Sequence, residues 1–209
     1  MLSPWPRPSR AVGKSDARLM PLNWPNRLTI LRMILGPASM VMLLDPRPAF
    51  RYSSLALFVF AALTDLYDGY LARRYGWVTN LGRFLDPLAD KLMVCLALIG
   101  LVQIDLVPLW AVWVIIGREL LVTGLRAIAA YAGVLIMPSR LGKWKNASEV
   151  VSIIFYLVLA LPERDIGATA RSFLQSAAWA SLLIAVLLAV TSGLDYFGRN
   201  RAIMKRLLW

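Results

Sequence analysis

The stretch TDLYDGYLARR, Thr64 to Arg74, decides how the rest of the chain is read. It continues directly from Leu55-Ala-Leu-Phe-Val-Phe-Ala-Ala-Leu63, an apolar run suited to the inside of a membrane. Two aspartates, a glycine and a pair of arginines then arrive with no turn signal before them. The charges therefore belong to the end of an otherwise apolar helix. Asp65 and Asp68 are three apart and share one helical face. Gly69 and Ala72 continue that strip and keep it narrow.

Working outward, five more apolar stretches are long enough, or nearly so, to cross a bilayer that needs about 20 helical residues. The six run over about 28–44, 53–73, 86–102, 108–131, 142–161 and 169–196. Gly36-Pro37 predicts a kink in the first. Turn signals separate them: Asp45-Pro46-Arg47-Pro48, Tyr75-Gly76-Trp77, Asp105, Met137-Pro138-Ser139, and Leu161 to Asp165. Hydrophobic residues make up 59% of the 209, and the mean hydropathy is +0.62. A soluble domain holds about 45–50% apolar residues. The expected fold is all-α, a single polytopic domain of six transmembrane helices over 22–197. A basic arm (1–21) precedes it and a basic tail (198–209) follows. The prolines and charges of the arm exclude a signal-peptide core.

The net charge of +11 points to membrane lipid headgroups rather than nucleic acid in so apolar a chain. Nineteen of the 23 Lys and Arg fall in or next to the arm, the 73–91 connection, the 118–145 region or the tail. Only Arg47, Arg51, Arg164 and Arg171 fall on the other side. The positive-inside rule then places both termini in the cytoplasm. One cysteine, Cys95, excludes a disulfide framework, and the absence of histidine removes the usual general base and zinc ligand. Acid–base or metal chemistry must rest on Asp and Glu.

Asp86 and Asp90, four apart, share a face of the next helix, and Pro87 is tolerated in its first turn. Two neighbouring helices can thus aim four carboxylates at one small volume. An ionised Asp at the centre of a span costs about 2.5–3.5 kcal/mol on insertion scales, and clustered carboxylates also repel. A divalent cation is the simplest compensation, and all-oxygen ligands select Mg²⁺ or Mn²⁺, with Ca²⁺ also compatible. The plainer reading is an interfacial belt of ion pairs with Arg73, Arg74, Arg83 and Lys91. Four aspartates at i, i+3 and i, i+4 spacing, with small residues between, favour the metal site.

The complete pattern is Asp65-x2-Asp68-Gly69-x2-Ala72-Arg73-x8-Gly82-x3-Asp86-x3-Asp90. It resembles the signature of the CDP-alcohol phosphotransferase family, with every fixed position filled. The resemblance implies six membrane helices, a homodimer, and transfer of a phosphatidyl-type group from a CDP-linked lipid to an alcohol with release of CMP. It implies Asp65, Asp68 and Asp86 as metal ligands, with Asp90 shared between metal binding and proton removal. It also implies Gly69, Ala72, Arg73 and Gly82 as the lining of the CDP site. For either glycine, close helix packing is an equally good reading.

A second group of charges follows. Arg118 and Glu119 interrupt the apolar run IIGRELLVTGLRAIAAY, with Arg126 about 80° around the helix from Arg118. Arg140, Lys143 and Lys145 open the next stretch in SRLGKWKNASE. Glu119 and Arg126 are also explained by ion pairs between helices, and Arg140, Lys143 and Lys145 by topology. Arg118 is too deep for that. Cations beside a metal site suit an acceptor that carries its own phosphate. Asn26-Arg-Leu-Thr29-x2-Arg32, Arg118-Glu119-x6-Arg126 and Gly142-Lys143-x-Lys145 resemble the bacterial members of the family that join CDP-diacylglycerol to sn-glycerol 3-phosphate. That likeness implies a bacterial inner-membrane enzyme with its site facing the cytoplasm. It implies Asn26, Thr29 and Arg32 on the CDP-lipid, and Arg118, Arg126, Arg140, Lys143 and Lys145 on the acceptor phosphate. A sister enzyme using inositol phosphate or another alcohol is the near alternative. A divalent-cation transporter is the alternative from another class.

Overall fold

The computed structural model describes residues 24–75, 80–131 and 140–201, with side chains at 28–65, 88–130, 141–163 and 165–201. Six long helices and one short one account for nearly all of them: α1 (Trp24–Leu44), α2 (Pro48–Tyr75), α3 (Asn80–Gln103), α4 (Leu109–Tyr131), α5 (Arg140–Leu159), α6 (Glu163–Ile166) and α7 (Ala168–Arg199). Among the described residues there is no strand. Each apolar stretch of the sequence lies within or against one long helix. Gly36-Pro37, where a kink is expected, lies inside continuous α1. A Cβ on Gly36 would sit 3.2 Å from the Met93 backbone, so this glycine lets α1 and α3 approach closely.

The connections follow from local chemistry. Pro48 occupies the first position of α2, where its missing N–H costs no helical bond. Just before it, the Asp45 carboxylate accepts from the Arg47 backbone N–H (2.9 Å), Nε (2.9 Å) and guanidinium (2.7 Å). Those Arg47 bonds, the side-chain ones foremost, hold the Asp45 carboxyl down to about 2. The end of α3 is closed by a double bond pattern: Leu106 N–H donates to Leu101 O at 3.0 Å and Asp105 N–H to Val102 O at 3.0 Å. Asp105 takes the left-handed position (φ 58°) usually given to glycine, which Asp tolerates better than most residues. Gly167 (φ 73°) turns the chain from α6 into α7.

α1 packs against α2 and α3, while α5 and α4 pack on α7. Ser39 and Ser54 lock α1 to α2 reciprocally, each buried hydroxyl donating to the other residue's backbone carbonyl at 2.9 and 2.8 Å. The core joins Leu43, Phe58, Met93, Leu98, Leu101, Ile115, Ile153, Leu157 and Leu182. On α7 the buried positions are mostly small, Ala178, Leu182, Ala185, Ala189, Ser192 and Gly193, repeating every three or four residues. Large apolar residues lie outside instead: Leu194 is 68% exposed, Trp113 69% and Leu120 70%. An apolar surface of this extent is stable only when an apolar phase or a partner covers it. Among the described residues, α7 is the helix long and apolar enough to cross a membrane by itself, with a mean hydropathy of 2.1.

The two ends of the bundle differ. At one end Arg51 donates to Ala160 O (2.7 Å) and Tyr52 to Asp165 (2.6 Å), tying α2 to the α5–α6 connection. Arg171 pairs there with Glu163 at 3.3 Å. Asp65, Asp90 and Lys145 lie toward the opposite ends of α2, α3 and α5.

Candidate active site

α2 carries Asp65, and α3 carries Asp90. The two carboxylates lie within electrostatic range of each other, together with Arg32 of α1. Arg32 is fully buried, and its guanidinium forms an ion pair with Asp65. Thr29, one turn earlier on the same helix, is buried as well. A charged residue so deep is stable only when paired, and the 33-residue separation hides this pairing from local sequence patterns. Position 68 lies on α2 three residues beyond Asp65, and position 86 lies on α3 four residues before Asp90. The side chains of Asp68 and Asp86 fall outside the described residues, as do those of Asn26, Gly69, Ala72, Arg73, Gly82 and Arg140. Accordingly, no group of three or more metal-ligating side chains occurs among the described ones.

Asp90 lines a cavity of about 20 Å³, room for one water molecule. Lys91, Cys95, Glu119, Lys145, Asn146 and Glu149 complete its polar wall. Glu119 is the hub. Its carboxylate pairs with Arg118 beside it on α4 (2.6 Å), with Lys145 of α5, and with Lys91 of α3 (3.4 Å). Lys145 pairs in addition with Glu149, one turn along α5, at 2.6 Å. One carboxylate therefore fastens three helices. Lys91 also donates to the Thr123 hydroxyl, one turn beyond Glu119 on α4.

The cations expected to meet the acceptor are thus sorted by burial. Lys145 is 1% exposed and Arg118 14%. Lys143 and Arg126 are exposed. Two residues apart on a helix do not share a face, so Lys143 and Lys145 diverge, with Lys145 turned inward to Glu119. The interhelical ion pair offered as one reading of Glu119 is present. Lys91, Thr123 and Glu149 were not singled out as site residues from sequence. The Lys145–Glu149 spacing of four was a local signal for part of this network; the pairing across α3, α4 and α5 had none.

Comparison with known proteins points one way. Residues 22–195 match the family model described as CDP-alcohol phosphatidyltransferase. A Bacillus subtilis (strain 168) protein named CDP-diacylglycerol--glycerol-3-phosphate 3-phosphatidyltransferase is 40% identical over 195 residues, spanning 88% of this chain and 97% of its own. A Mycobacterium tuberculosis (strain H37Rv) protein named probable phosphatidylglycerophosphate synthase is 37% identical, over 90% of this chain and 86% of its own. A Rickettsia typhi protein with the same name as the Bacillus one is 35% identical, over 84% of this chain and 95% of its own.

Proposed function

The chain belongs to the CDP-alcohol phosphatidyltransferase family, and from that premise we propose that it joins CDP-diacylglycerol to sn-glycerol 3-phosphate, giving phosphatidylglycerophosphate and CMP. The observation that carries this reading is Asp90 in one cavity with Lys91 of α3, Glu119 of α4 and Lys145 of α5, with the Asp65–Arg32 pair in its electrostatic range. Family membership replaces the cation-transporter reading.

In the reaction an acceptor hydroxyl oxygen attacks the phosphorus that bears diacylglycerol. A new P–O bond forms, and the bond to the CMP phosphate breaks with its electron pair leaving on CMP. The hydroxyl proton needs a base, and in a chain without histidine Asp90 takes it. Asp65 and Asp90 are hard oxygen donors, and Asp68 and Asp86 stand one helical turn away on the same helices. A carboxylate offers about four lone-pair sites, so Asp65 can accept Arg32 and still serve a cation. This donor set fits Mg²⁺ or Mn²⁺. Such ions, when bound, neutralise the diphosphate and stabilise the departing CMP.

The α1 side of the site, with Asn26, Thr29 and Arg32, is assigned to the CDP-lipid together with Gly69, Ala72, Arg73 and Gly82. Arg32 acts there through Asp65. The acceptor side belongs to Arg118, Arg126, Arg140, Lys143 and Lys145. The exposure of Lys143 and Arg126 suits direct contact, and the burial of Lys145 and Arg118 suits a fixed positive wall. Exposed apolar faces on α1, α2, α4 and α7 support six spans in a bacterial cytoplasmic membrane. The clustering of basic residues at the Asp65–Asp90 end supports a cytoplasmic site and cytoplasmic termini. A homodimer is assigned from the family likeness.

The test is turnover by the purified protein with CDP-diacylglycerol, Mg²⁺ and labelled glycerol 3-phosphate. CMP release with labelled phosphatidylglycerophosphate is expected. Turnover with inositol phosphate in its place, and none with glycerol 3-phosphate, would overturn the acceptor and keep the family.

A further inference from the structure

The cations around Asp90 are not equivalent. Lys145 is closed in between Glu119 and Glu149, and Arg118 lies against Glu119. Lys91 differs in three respects. It follows Asp90 directly on α3 and lines the same cavity. Its side chain is 29% exposed, the most open of the three cations on Glu119. Its contact with Glu119 is also the loosest in the cluster, at 3.4 Å, and its other partner is the neutral Thr123 hydroxyl. Among the described side chains, Lys91, Arg118 and Lys145 share two carboxylates, Glu119 and Glu149. An ammonium has three N–H donors, so beside its Glu119 and Thr123 partners Lys91 can still donate to a phosphate oxygen in a charge-assisted hydrogen bond.

Resting on the reaction assigned above, we propose that Lys91 receives the phosphate of the acceptor, and that Glu119 and Thr123 are positioning residues that hold its ammonium beside Asp90. The phosphate takes the third N–H of the Lys91 ammonium, while Glu119 and Thr123 keep the lysine from swinging into solvent. The acceptor is thereby anchored by its phosphate one residue from the base that deprotonates its hydroxyl.

The test uses the full-length protein in mixed micelles with CDP-diacylglycerol and Mg²⁺. Lys91→Met is expected to raise KM for glycerol 3-phosphate about 10–100-fold, the loss typical of a hydrogen bond to a charged group. KM for CDP-diacylglycerol should stay within about twofold. Lys91→Arg should recover most of the loss, and Thr123→Val should raise only the acceptor KM, by less. An unchanged acceptor KM in Lys91→Met overturns the proposal. So does a shift in KM for CDP-diacylglycerol instead, which would place Lys91 on the lipid's diphosphate. If Lys91→Met does not fold, Thr123→Val decides, and an acceptor KM equal to wild type overturns the proposal. If the wild type does not turn over glycerol 3-phosphate, the assigned reaction falls. Lys91 is then judged by inorganic phosphate binding, which must weaken at least tenfold in Lys91→Met and largely return in Lys91→Arg for the assignment to stand.

Discussion

Glu119 and Lys145 form a buried ion pair between α4 and α5, with the lysine side chain 1% exposed and the glutamate 12%. Glu149 closes the other side of the same ammonium at 2.6 Å. The arrangement satisfies charges that would otherwise stand unpaired inside the bundle.

Lys145→Met should therefore be strongly destabilising. It leaves Glu149 without its counter-charge and takes the buried partner from Glu119, and breaking a buried pair costs about 3–5 kcal/mol. Adding Glu149→Gln removes one of the two stranded carboxylates and should return part of that loss. Thermal unfolding of the two variants in the same detergent measures the difference. Equal melting temperatures for Lys145→Met and wild type would show the pair to be inert.

The Asp65–Arg32 pair separates a structural role from a chemical one. Asp65→Asn should abolish turnover, and it should also destabilise, because Arg32 loses this carboxylate while buried. The two losses separate in the double variant. Asp65→Asn with Arg32→Met should regain stability relative to Asp65→Asn alone, with a coupling of about 0.5–3 kcal/mol. Activity should stay absent. If turnover returned with stability, Asp65 would be a structural ion pair and nothing more.

The helices were legible in the sequence because each is a long apolar run bounded by proline, glycine or an Asp at a left-handed turn. Asp105 and Pro48 mark their boundaries in the fold as they do in the sequence. The short α6, with four residues between Pro162 and Gly167, is too brief for any periodicity. Asp65 and Asp90 stood out in the sequence because their spacings of three and four from Asp68 and Asp86 predict a shared helical face. Arg32 and Lys145 stood out as candidates, but their partners did not. Which carboxylate meets which cation depends on how α1, α4 and α5 dock, and their pairs span 33 and 26 residues. Thr123 lay below notice for the same reason: it is an ordinary helix residue until Lys91 of α3 is placed against it. Glu149 carried a local signal in its spacing of four from Lys145.

At the far end of the bundle, Asp45 gives a pH marker that is independent of the site. The Arg47 hydrogen bonds hold its carboxyl at about 2, against about 3.9 for an unfolded aspartate. A depressed folded value contributes stability above about pH 3.9, and that contribution disappears as the pH falls through about 2. A carboxyl-carbon NMR titration should place the Asp45 midpoint near 2 in the folded protein. In Arg47→Ala it should return toward 3.9, with turnover unchanged. A wild-type midpoint near 3.9 would mean that the Asp45–Arg47 turn does not form in solution.

Asp90→Asn tests the chemistry most directly. The amide keeps the shape of the side chain but takes no proton at working pH. Turnover should fall about 10²–10⁴-fold, the range that general-base catalysis supplies. Binding of CDP-diacylglycerol should survive, because Arg32 and Asp65 on the lipid side are untouched. Asp90→Glu keeps the base but moves it by one methylene, so it should retain more activity than the amide while remaining well below wild type. The comparison is made in single-turnover experiments with CDP-diacylglycerol bound in advance, which separates lipid binding from transfer. An Asp90→Asn variant that transfers at the wild-type rate would remove Asp90 as the base. Loss of lipid binding in the same variant would assign it to holding the diphosphate site rather than to proton removal.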